Sequence, residues 1–327
     1  RRMFKVVDMS GKVGDDLDEE IRRLAGIEAS TPFNLKTGPL FRTTFIKASS
    51  DDFVVLITMH HIISDGWSMG VFVRELTALY YSYTKSQPSP LPELAIQYGD
   101  FAEWQQTYVT GKVLEAQLEY WKKKLGGSLP VLEIPGDRPR PSIQTMVGAT
   151  ISIIIKKDIT DPFLALLRSN KATQFMGLLA VFQVLLKKYT GLDDILIGSP
   201  IANRNRREIE PLIGFFVNTL VFRNNLSGDP SFMQLLEMVK KSTIEAYDNQ
   251  DIPFERLVEA LQPARDMAHS PLFQVMFILQ NAPAKTDVEL TDFNISMLDV
   301  DPGTSTFDLT LNMSEAVDGY HLAAEYN

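Results

Sequence analysis

The chain has 327 residues, of which 45% are hydrophobic, and its 32 Lys and Arg against 41 Asp and Glu give a formal net charge of −9. This apolar fraction excludes intrinsic disorder, and the length predicts one large domain or two coupled lobes. The acidic balance argues against a non-specific binder of nucleic acid or anionic membranes, because both need a basic face. The lack of cysteine excludes disulfide frameworks, Cys-based metal sites and cysteine nucleophiles, and it is compatible with the cytoplasmic location that we expect.

Helix and strand patterns alternate over the first 125 residues. Helical patterns cover Asp15–Ala29, Met69–Tyr83 and Tyr98–Leu125, and strand patterns cover Pro39–Ile46 and Phe53–Met59. The second strand is a continuous apolar run rich in β-branched residues, which is typical of a strand buried on both faces. A polar loop, His60–Gly66, connects this strand to the helix that follows.

Proline clusters separate the two halves of the chain. The cluster Pro135–Pro141 is the best linker candidate, because it combines three prolines with a glycine. We therefore predict an N-terminal lobe over residues 1–140 and a C-terminal lobe over residues 141–327.

The second half again mixes both kinds of element. Strand patterns cover Thr150–Ile155, Asp194–Ile201, Phe216–Arg223 and Phe273–Gln280, with two or three more strands towards the end. Helical patterns cover Thr173–Lys188, Ser231–Asp248 and Pro253–Leu261, and Gly191 is a C-terminal stop for the first of these. The whole pattern predicts a mixed α and β fold in two lobes.

A pair of histidines, His60 and His61, stands at the end of a predicted strand, just before Asp65 and Gly66. Adjacent strand residues point to opposite faces, so the two histidines should not share one role. A histidine with a pKa near its reference value of about 6.5 is suited to moving a proton at neutral pH. Gly66 and Trp67 open a helix, where free N–H groups favour developing negative charge. A base and an anion-stabilising helix end this close together predict an acyl-transfer site.

Other interpretations of these residues stay open. A His-His pair at a strand end is, considered alone, more often structural, and Asp65 could either hold the loop through an ion pair or act as a general acid. Zinc needs roughly three to four protein ligands, whereas His269 and His321 are distant in sequence, so we expect no metal site. Neither Ser64 nor Ser68 lies in a Gly-x-Ser-x-Gly elbow, which gives a serine nucleophile little support.

The segment Met59–Ser68 resembles the His-His-x-x-x-Asp-Gly signature of nonribosomal peptide synthetase condensation domains. Four further segments resemble motifs of this family in the same order: Tyr98–Trp104, Ile213–Leu220 with Arg223, Asn249–Glu255, and Arg265–Leu272. Cyclisation domains of the same superfamily have aspartates in place of both histidines, so His60 and His61 argue against a cyclisation domain. The Phe-Val-Asn-Thr pattern at residues 216–219 favours a condensation domain of the L-donor type over an epimerisation relative.

Both ends of the chain depart from the family pattern. The family's two earliest motifs, of the Ser-x-Ala-Gln-x-Arg and Arg-His-Glu-x-Leu-Arg types, have no counterpart before residue 59. The end at Glu325–Asn327 falls short of the family's closing helix, and the first residue is not Met. We therefore expect a chain that is incomplete at the N-terminus and at the C-terminus.

The resemblance implies an α/β fold like that of chloramphenicol acetyltransferase, with two lobes in a V around a central tunnel. It implies that a carrier-bound amine attacks a carrier-bound thioester to form an amide. No cofactor would be tightly bound, because phosphopantetheine arms on donor and acceptor peptidyl carrier proteins hold the substrates. An adenylation domain would lie next to the domain in the parent chain, and no nucleic acid or membrane would be a partner.

The resemblance also assigns roles to individual residues. His61 would be catalytic, either as a base or by positioning the amine, and the Gly66 N–H would stabilise the oxyanion. Asn218 would line the channel or, alternatively, fix a strand end. The residues with supporting roles would be His60, Trp67, Asp65 and Arg204, the last two as an ion pair. An epimerisation or free-standing acyltransferase relative, or an inactive fragment that docks carrier proteins, are the alternatives.

Overall fold

The structure, a computed structural model, describes residues 4–137, 139–263, 266–280, 298 and 303–327. These residues form two compact units. Residues 4–98, 206–216 and 298 belong to the first unit, and residues 99–137, 139–205, 217–263, 266–280 and 303–327 belong to the second. The lobe boundary expected between residues 140 and 141 stays a prediction.

The described part of the first unit contains a three-stranded sheet in the order β1-β2-β3. Its elements are β1 Phe4–Asp8, α1 Asp15–Ser30, β2 Phe41–Lys47, β3 Phe53–Met59, a one-turn 3-10 helix His61–Ile63, and α2 Gly66–Thr84. Strand β2 pairs in parallel with β1 and antiparallel with β3. Met9, Ile21 and Ile46 form a small buried core to which α1 and the sheet both contribute.

The prediction that β3 is buried on both faces is wrong. Val54 and Leu56 pack against the small core, but Phe53 and Val55, which alternate with them, are 54% and 41% exposed. Successive strand residues point to opposite sides, so α1 covers one side of β3 and the other retains exposed apolar residues. The sequence pattern predicted the strand correctly but not the half-buried environment.

The described part of the second unit is built on a six-stranded sheet in the order β4-β9-β8-β7-β5-β6. Its strands are β4 Ala149–Lys156, β5 Asp194–Ile201, β6 Asn218–Asn225, β7 Val275–Gln280, β8 Leu309–Ala316 and β9 Gly319–Tyr326. Its helices are α3, which starts in the first unit and spans Tyr98–Tyr108, then α4 Gly111–Leu125, α5 Lys157–Ser169, α6 Gln174–Thr190, α7 Phe232–Asp248 and α8 Phe254–Leu261. Strands β5, β7 and β8 run in parallel, and the other pairs are antiparallel.

Helix α6 follows the sequence prediction closely. The Thr173 side chain accepts a hydrogen bond from the Met176 amide at 3.2 Å and caps the start of the helix. Gly191 ends the helix with a φ of 72°, in the left-handed region that glycine adopts without strain. Phe182 of α6 packs on Phe277 of β7, and both rings lie in the main core of this unit.

Three features differ from the expected elements. The helical stretch Tyr98–Leu125 is two helices, because the chain leaves the helical path at Val109 and Thr110 and Gly111 has a φ of 49°. Strand β1 was not predicted, since most of its residues are exposed and their pattern is weak. Helix α5 was not predicted either, and it contains Pro162, which normally argues against a helix. No helix in the described ranges is both long and apolar enough to cross a membrane.

Candidate active site

The loop after β3 is held in shape by His60. Its Nδ1 accepts a hydrogen bond from the Ile62 amide at 3.0 Å, which caps the one-turn helix His61–Ile63. The imidazole ring also lies edge-on to Phe33, with 5.8 Å between the ring centroids. Since Nδ1 is occupied as an acceptor, a neutral His60 carries its proton on Nε2. The contacts of His60 within its own loop are those of a supporting residue.

His61 is exposed and has the opposite tautomer. Its Nδ1 lies 3.1 Å from the carbonyl oxygen of Ser64. A carbonyl oxygen can only accept, so Nδ1 is the donor and carries the proton when the ring is neutral. The lone pair is then on Nε2, which can accept a proton from another molecule. The ring of His61 also lies edge-on to that of Phe215, with the centroids 6.2 Å apart.

Asp65 is a buried carboxylate, only 4% exposed, with both oxygens engaged. Its Oδ1 accepts from the Ser68 amide at 2.8 Å and lies 2.7 Å from the Ser68 hydroxyl, which caps the N-terminus of α2. Its Oδ2 accepts from the Phe216 amide at 3.0 Å. Helix capping and a bond to a distant backbone amide are structural tasks, and they favour the structural role of Asp65 over that of a general acid.

Gly66 is the first residue of α2 and is exposed. A Cβ atom built at this position would meet no heavy atom of the described residues within 4 Å. Its helical backbone also does not need glycine. Glycine is therefore not required here by packing, and the space beside its Cα is open.

Three side chains of the first unit, two at the start of α2 and one at the start of α3, bind the segment 206–216. The Ser68 hydroxyl accepts from the Gly214 amide at 3.1 Å and lies 2.9 Å from the Gly214 carbonyl oxygen. Since the hydroxyl has a single proton, that proton is shared between Asp65 and this carbonyl. The Trp67 Nε1–H donates to the Glu210 carbonyl oxygen at 2.9 Å. The fully buried Ser68 was considered in the sequence only as a nucleophile, and its actual role there is to join two distant segments.

The third of these side chains is Tyr98, the first residue of α3. Its hydroxyl donates to the Phe215 carbonyl oxygen at 2.9 Å, and its ring lies edge-on to Phe216 at 5.1 Å. Burial raises the pKa of Tyr98, and the negative charge of Asp65 raises that pKa further, so the phenol stays a neutral donor. Nothing in the sequence identifies this partner, because 117 residues separate Tyr98 from Phe215.

Asn218 begins β6 in the second unit, and its amide makes four hydrogen bonds. Nδ2 donates to the carbonyl oxygens of Gln250 and Ile252, both at 2.8 Å. Oδ1 accepts from the amides of Phe254 at 3.0 Å and of Thr219 at 2.9 Å. An asparagine amide offers two donors and two acceptor positions, so its full capacity is used, with three bonds to the 250–254 loop and one to Thr219 of its own strand. These bonds favour the strand-end role over the channel-lining role, which stays a prediction.

Arg204 follows β5 in the second unit and is half-buried. Its expected ion pair with Asp65 stays a prediction. The motif segment 249–255 is held from α4, where Gln117 bonds both Asp251 and the Ile252 amide. In the last motif, Arg265 lies outside the described residues. Across the described part of the chain, no three His, Cys, Asp or Glu side chains are grouped as metal ligands would be.

The family model of the condensation domain matches residues 2–327. The chain belongs to the condensation-domain family. It is 47% identical over 328 residues to one subunit of the linear gramicidin synthase of Brevibacillus parabrevis, and 47% identical over 323 residues to another. These alignments cover 99% and 98% of this chain, but the chain spans only 6% of the length of either relative.

Solved structures share the fold of this condensation domain. The X-domain from teicoplanin biosynthesis superposes with a TM-score of 0.87 at 24% identity, over 99% of this chain and 73% of that one. The mixed α and β fold predicted from the sequence is therefore that of the family. The five motifs that carry the resemblance, between residues 59 and 272, all lie inside the range that the family model matches.

Proposed function

We propose that this condensation domain forms an amide bond between two carrier-bound substrates, with His61 at the reacting amine. The observation that carries the proposal is the hydrogen bond from His61 Nδ1 to the Ser64 carbonyl oxygen. This bond fixes the tautomer whose Nε2 can accept a proton, on a ring that is exposed. Membership of the condensation-domain family supports the same reaction class.

The chemical step needs one nucleophile and one leaving group, both supplied by the substrates. The amine nitrogen attacks the thioester carbonyl carbon, the C–N bond forms, and the C–S bond breaks. The amine loses one proton and the departing phosphopantetheine thiolate gains one, so the reaction needs no net proton acceptor. His61 Nε2 holds the amine and takes its proton as the C–N bond forms.

The first N–H of α2, on Gly66, is the proposed donor to the oxyanion. Negative charge that develops on the thioester oxygen is stabilised by N–H groups at a helix N-terminus. The position of Gly66 as the exposed first residue of α2 supports this role, because the first N–H groups of a helix have no partner within the helix. His60 and Asp65 support the loop rather than contact the substrate.

The remaining partners are proposed from the family. Donor and acceptor peptidyl carrier proteins deliver the substrates on phosphopantetheine, and no cofactor is tightly bound. An adjacent adenylation domain, the L-configuration of the donor and a cytoplasmic location stay predictions. The gramicidin synthase relatives are far longer than this chain, which corresponds to a small part of each.

A transfer assay tests this function. The 327-residue chain is mixed with a donor carrier and an acceptor carrier, each loaded with an aminoacyl group, and intact-protein mass spectrometry follows the acceptor. The proposal predicts a dipeptidyl acceptor carrier that forms only when both carriers are loaded. Exchange of the α-proton for solvent deuterium without amide formation would favour an epimerisation relative instead. Carrier binding without any product would favour a docking fragment, and reaction with a coenzyme A thioester alone would favour a free-standing acyltransferase.

A further inference from the structure

Three consecutive residues, Gly214, Phe215 and Phe216, are each bound through a backbone atom by a different side chain of the first unit. Ser68 bonds Gly214, Tyr98 bonds the carbonyl of Phe215, and Asp65 bonds the amide of Phe216. These side chains come from two segments that are remote in sequence from residues 214–216. The backbone that carries the Phe215 side chain is therefore fixed from both sides.

The close packing of Tyr98 leaves little freedom in this backbone. A Cβ atom at Gly214 would lie 2.2 Å from Cδ2 of the Tyr98 ring, far inside van der Waals contact. The Tyr98 ring also contacts Phe216 edge-on. Tyr98 thus holds Gly214 and Phe216 by packing and Phe215 by its hydroxyl.

Phe215 meets His61. Their ring centroids are 6.2 Å apart with an interplanar angle of 70°, which is the edge-to-face arrangement that aromatic pairs favour. His61 is exposed, and its ring also makes the hydrogen bond to Ser64. An exposed imidazole on a single hydrogen bond can rotate about its side-chain torsions, whereas a second contact on the ring restricts that rotation.

We infer that Phe215, held in place by the Tyr98 hydroxyl, is a positioning residue for the His61 ring. Phe215 keeps His61 Nδ1 directed at the Ser64 carbonyl oxygen, and thereby keeps the lone pair on Nε2. This inference rests on the proposed function where it concerns the rate, but its effect on the tautomer of His61 does not depend on any reaction.

The tautomer is measured on the chain labelled with ¹⁵N-histidine. Only four histidines are present, and the spectrum of His61→Asn identifies the signals of His61. In the unmodified chain, neutral His61 is expected to carry its proton on Nδ1. In Phe215→Leu and in Tyr98→Phe, the His61 signals are expected to move towards a mixture of both tautomers. In Phe215→Tyr, which keeps the ring, they are expected to stay in place.

The rate is measured in the two-carrier assay. Misplacement of a catalytic group by about 1 Å can cost up to ~100-fold, so we expect kcat to fall about ten- to a hundredfold in Phe215→Leu. The KM for either carrier is expected to stay the same. The kcat of Phe215→Tyr is expected to equal that of the unmodified chain. Matched controls are Phe53→Leu and Tyr108→Phe, both at exposed positions outside the segments 60–68 and 206–216.

The outcomes distinguish a failure of the positioning role of Phe215 from a failure of the proposed function. If Phe215→Leu and Tyr98→Phe fold but leave the His61 signals unchanged, the positioning role is wrong. Should Phe215→Leu fail to fold, Phe215→Met and Tyr98→Phe decide the question in the same spectrum. If the unmodified chain forms no amide, the proposed function fails, while the ¹⁵N spectra still decide whether Phe215 positions His61.

Discussion

The Oδ2 atom of Asp65 accepts the backbone amide proton of Phe216 at 3.0 Å, although 151 residues separate the two in sequence. The other oxygen of the same carboxylate caps α2 through Ser68. One buried side chain therefore fixes both the helix that begins at Gly66 and the segment that carries Phe215. The shape of the His61 loop therefore depends on this carboxylate.

Replacement of Asp65 by alanine should destabilise the chain. The loss of an N-cap costs about 0.5–2 kcal/mol, and buried donors left without an acceptor cost about 1–3 kcal/mol more. We expect the free energy of unfolding, measured with urea, to fall by about 1.5–5 kcal/mol, together with a loss of amide formation. Asp16→Ala, at an exposed position in α1, is the control and should change it by less than about 0.5 kcal/mol. Loss of activity in Asp65→Ala at full stability would favour direct chemistry by the carboxylate.

Two glycine replacements should have opposite effects. Gly214→Ala places a Cβ 2.2 Å from the Tyr98 ring, and overpacking of this kind costs about 1–3 kcal/mol. Gly26→Ala lies within α1, where the added methyl meets no heavy atom within 4 Å, so it should stabilise the chain by about 0.5–1 kcal/mol. Urea unfolding of both variants measures the difference. Equal effects of the two replacements would contradict the close packing at Gly214.

A pair of replacements at Gly66 isolates the proposed oxyanion donor. Proline is tolerated at the first position of a helix, and Asp65 already has the extended backbone that precedes a proline. Gly66→Pro should therefore fold but lack the N–H, and we expect the rate of amide formation to fall about 100- to 1000-fold. Gly66→Ala keeps the N–H and should lose far less. Equal rates for the two variants would show that the Gly66 N–H does not stabilise the oxyanion.

Asn218→Ala distinguishes two roles. It removes four hydrogen bonds and leaves the Phe254 amide and the carbonyls of Gln250 and Ile252 without their partner. We expect a loss of about 2–4 kcal/mol in the free energy of unfolding. The control is the exposed Asn225, at the other end of the same strand, which accepts a single exposed hydrogen bond from the Ser227 amide, so Asn225→Ala should lose about 1 kcal/mol or less. An active-site role would instead appear as lost turnover in Asn218→Ala at nearly full stability.

Local signals in the sequence were sufficient for elements whose ends are fixed by their own residues. Thr173 and Gly191 cap α6 through contacts within a few residues, so the sequence predicts both ends. The environment of β3 was predicted wrongly, because an apolar run does not reveal which side a neighbouring helix will cover. Strand β1 pairs in parallel with β2, and that pairing depends on a distant partner rather than on its own pattern.

In the candidate site, too, local features could be predicted from the sequence and long-range contacts could not. His60, His61, Asp65 and Gly66 stand within seven residues of sequence, so their proximity could be predicted directly. The contacts of Ser68 and Tyr98 with Gly214 and Phe215 join residues 146 and 117 positions apart. No residue type or spacing reveals such contacts, since a serine or a tyrosine at a helix start has many ordinary uses. The order of the motifs identified the family of the chain, but only the folded structure shows which atoms of these segments are in contact.

The most direct test of the central claim replaces His61 by asparagine and measures single-turnover amide formation between two loaded carriers. Asparagine can still donate to the Ser64 carbonyl oxygen in place of Nδ1, but it lacks a proton acceptor at the position of Nε2. We expect His61→Asn to unfold at the same urea concentration as the unmodified chain and to form amide at least about 100-fold more slowly. His321→Asn, at an exposed position of β9, is the matched control and should be fully active. Unchanged turnover in a folded His61→Asn would contradict the account.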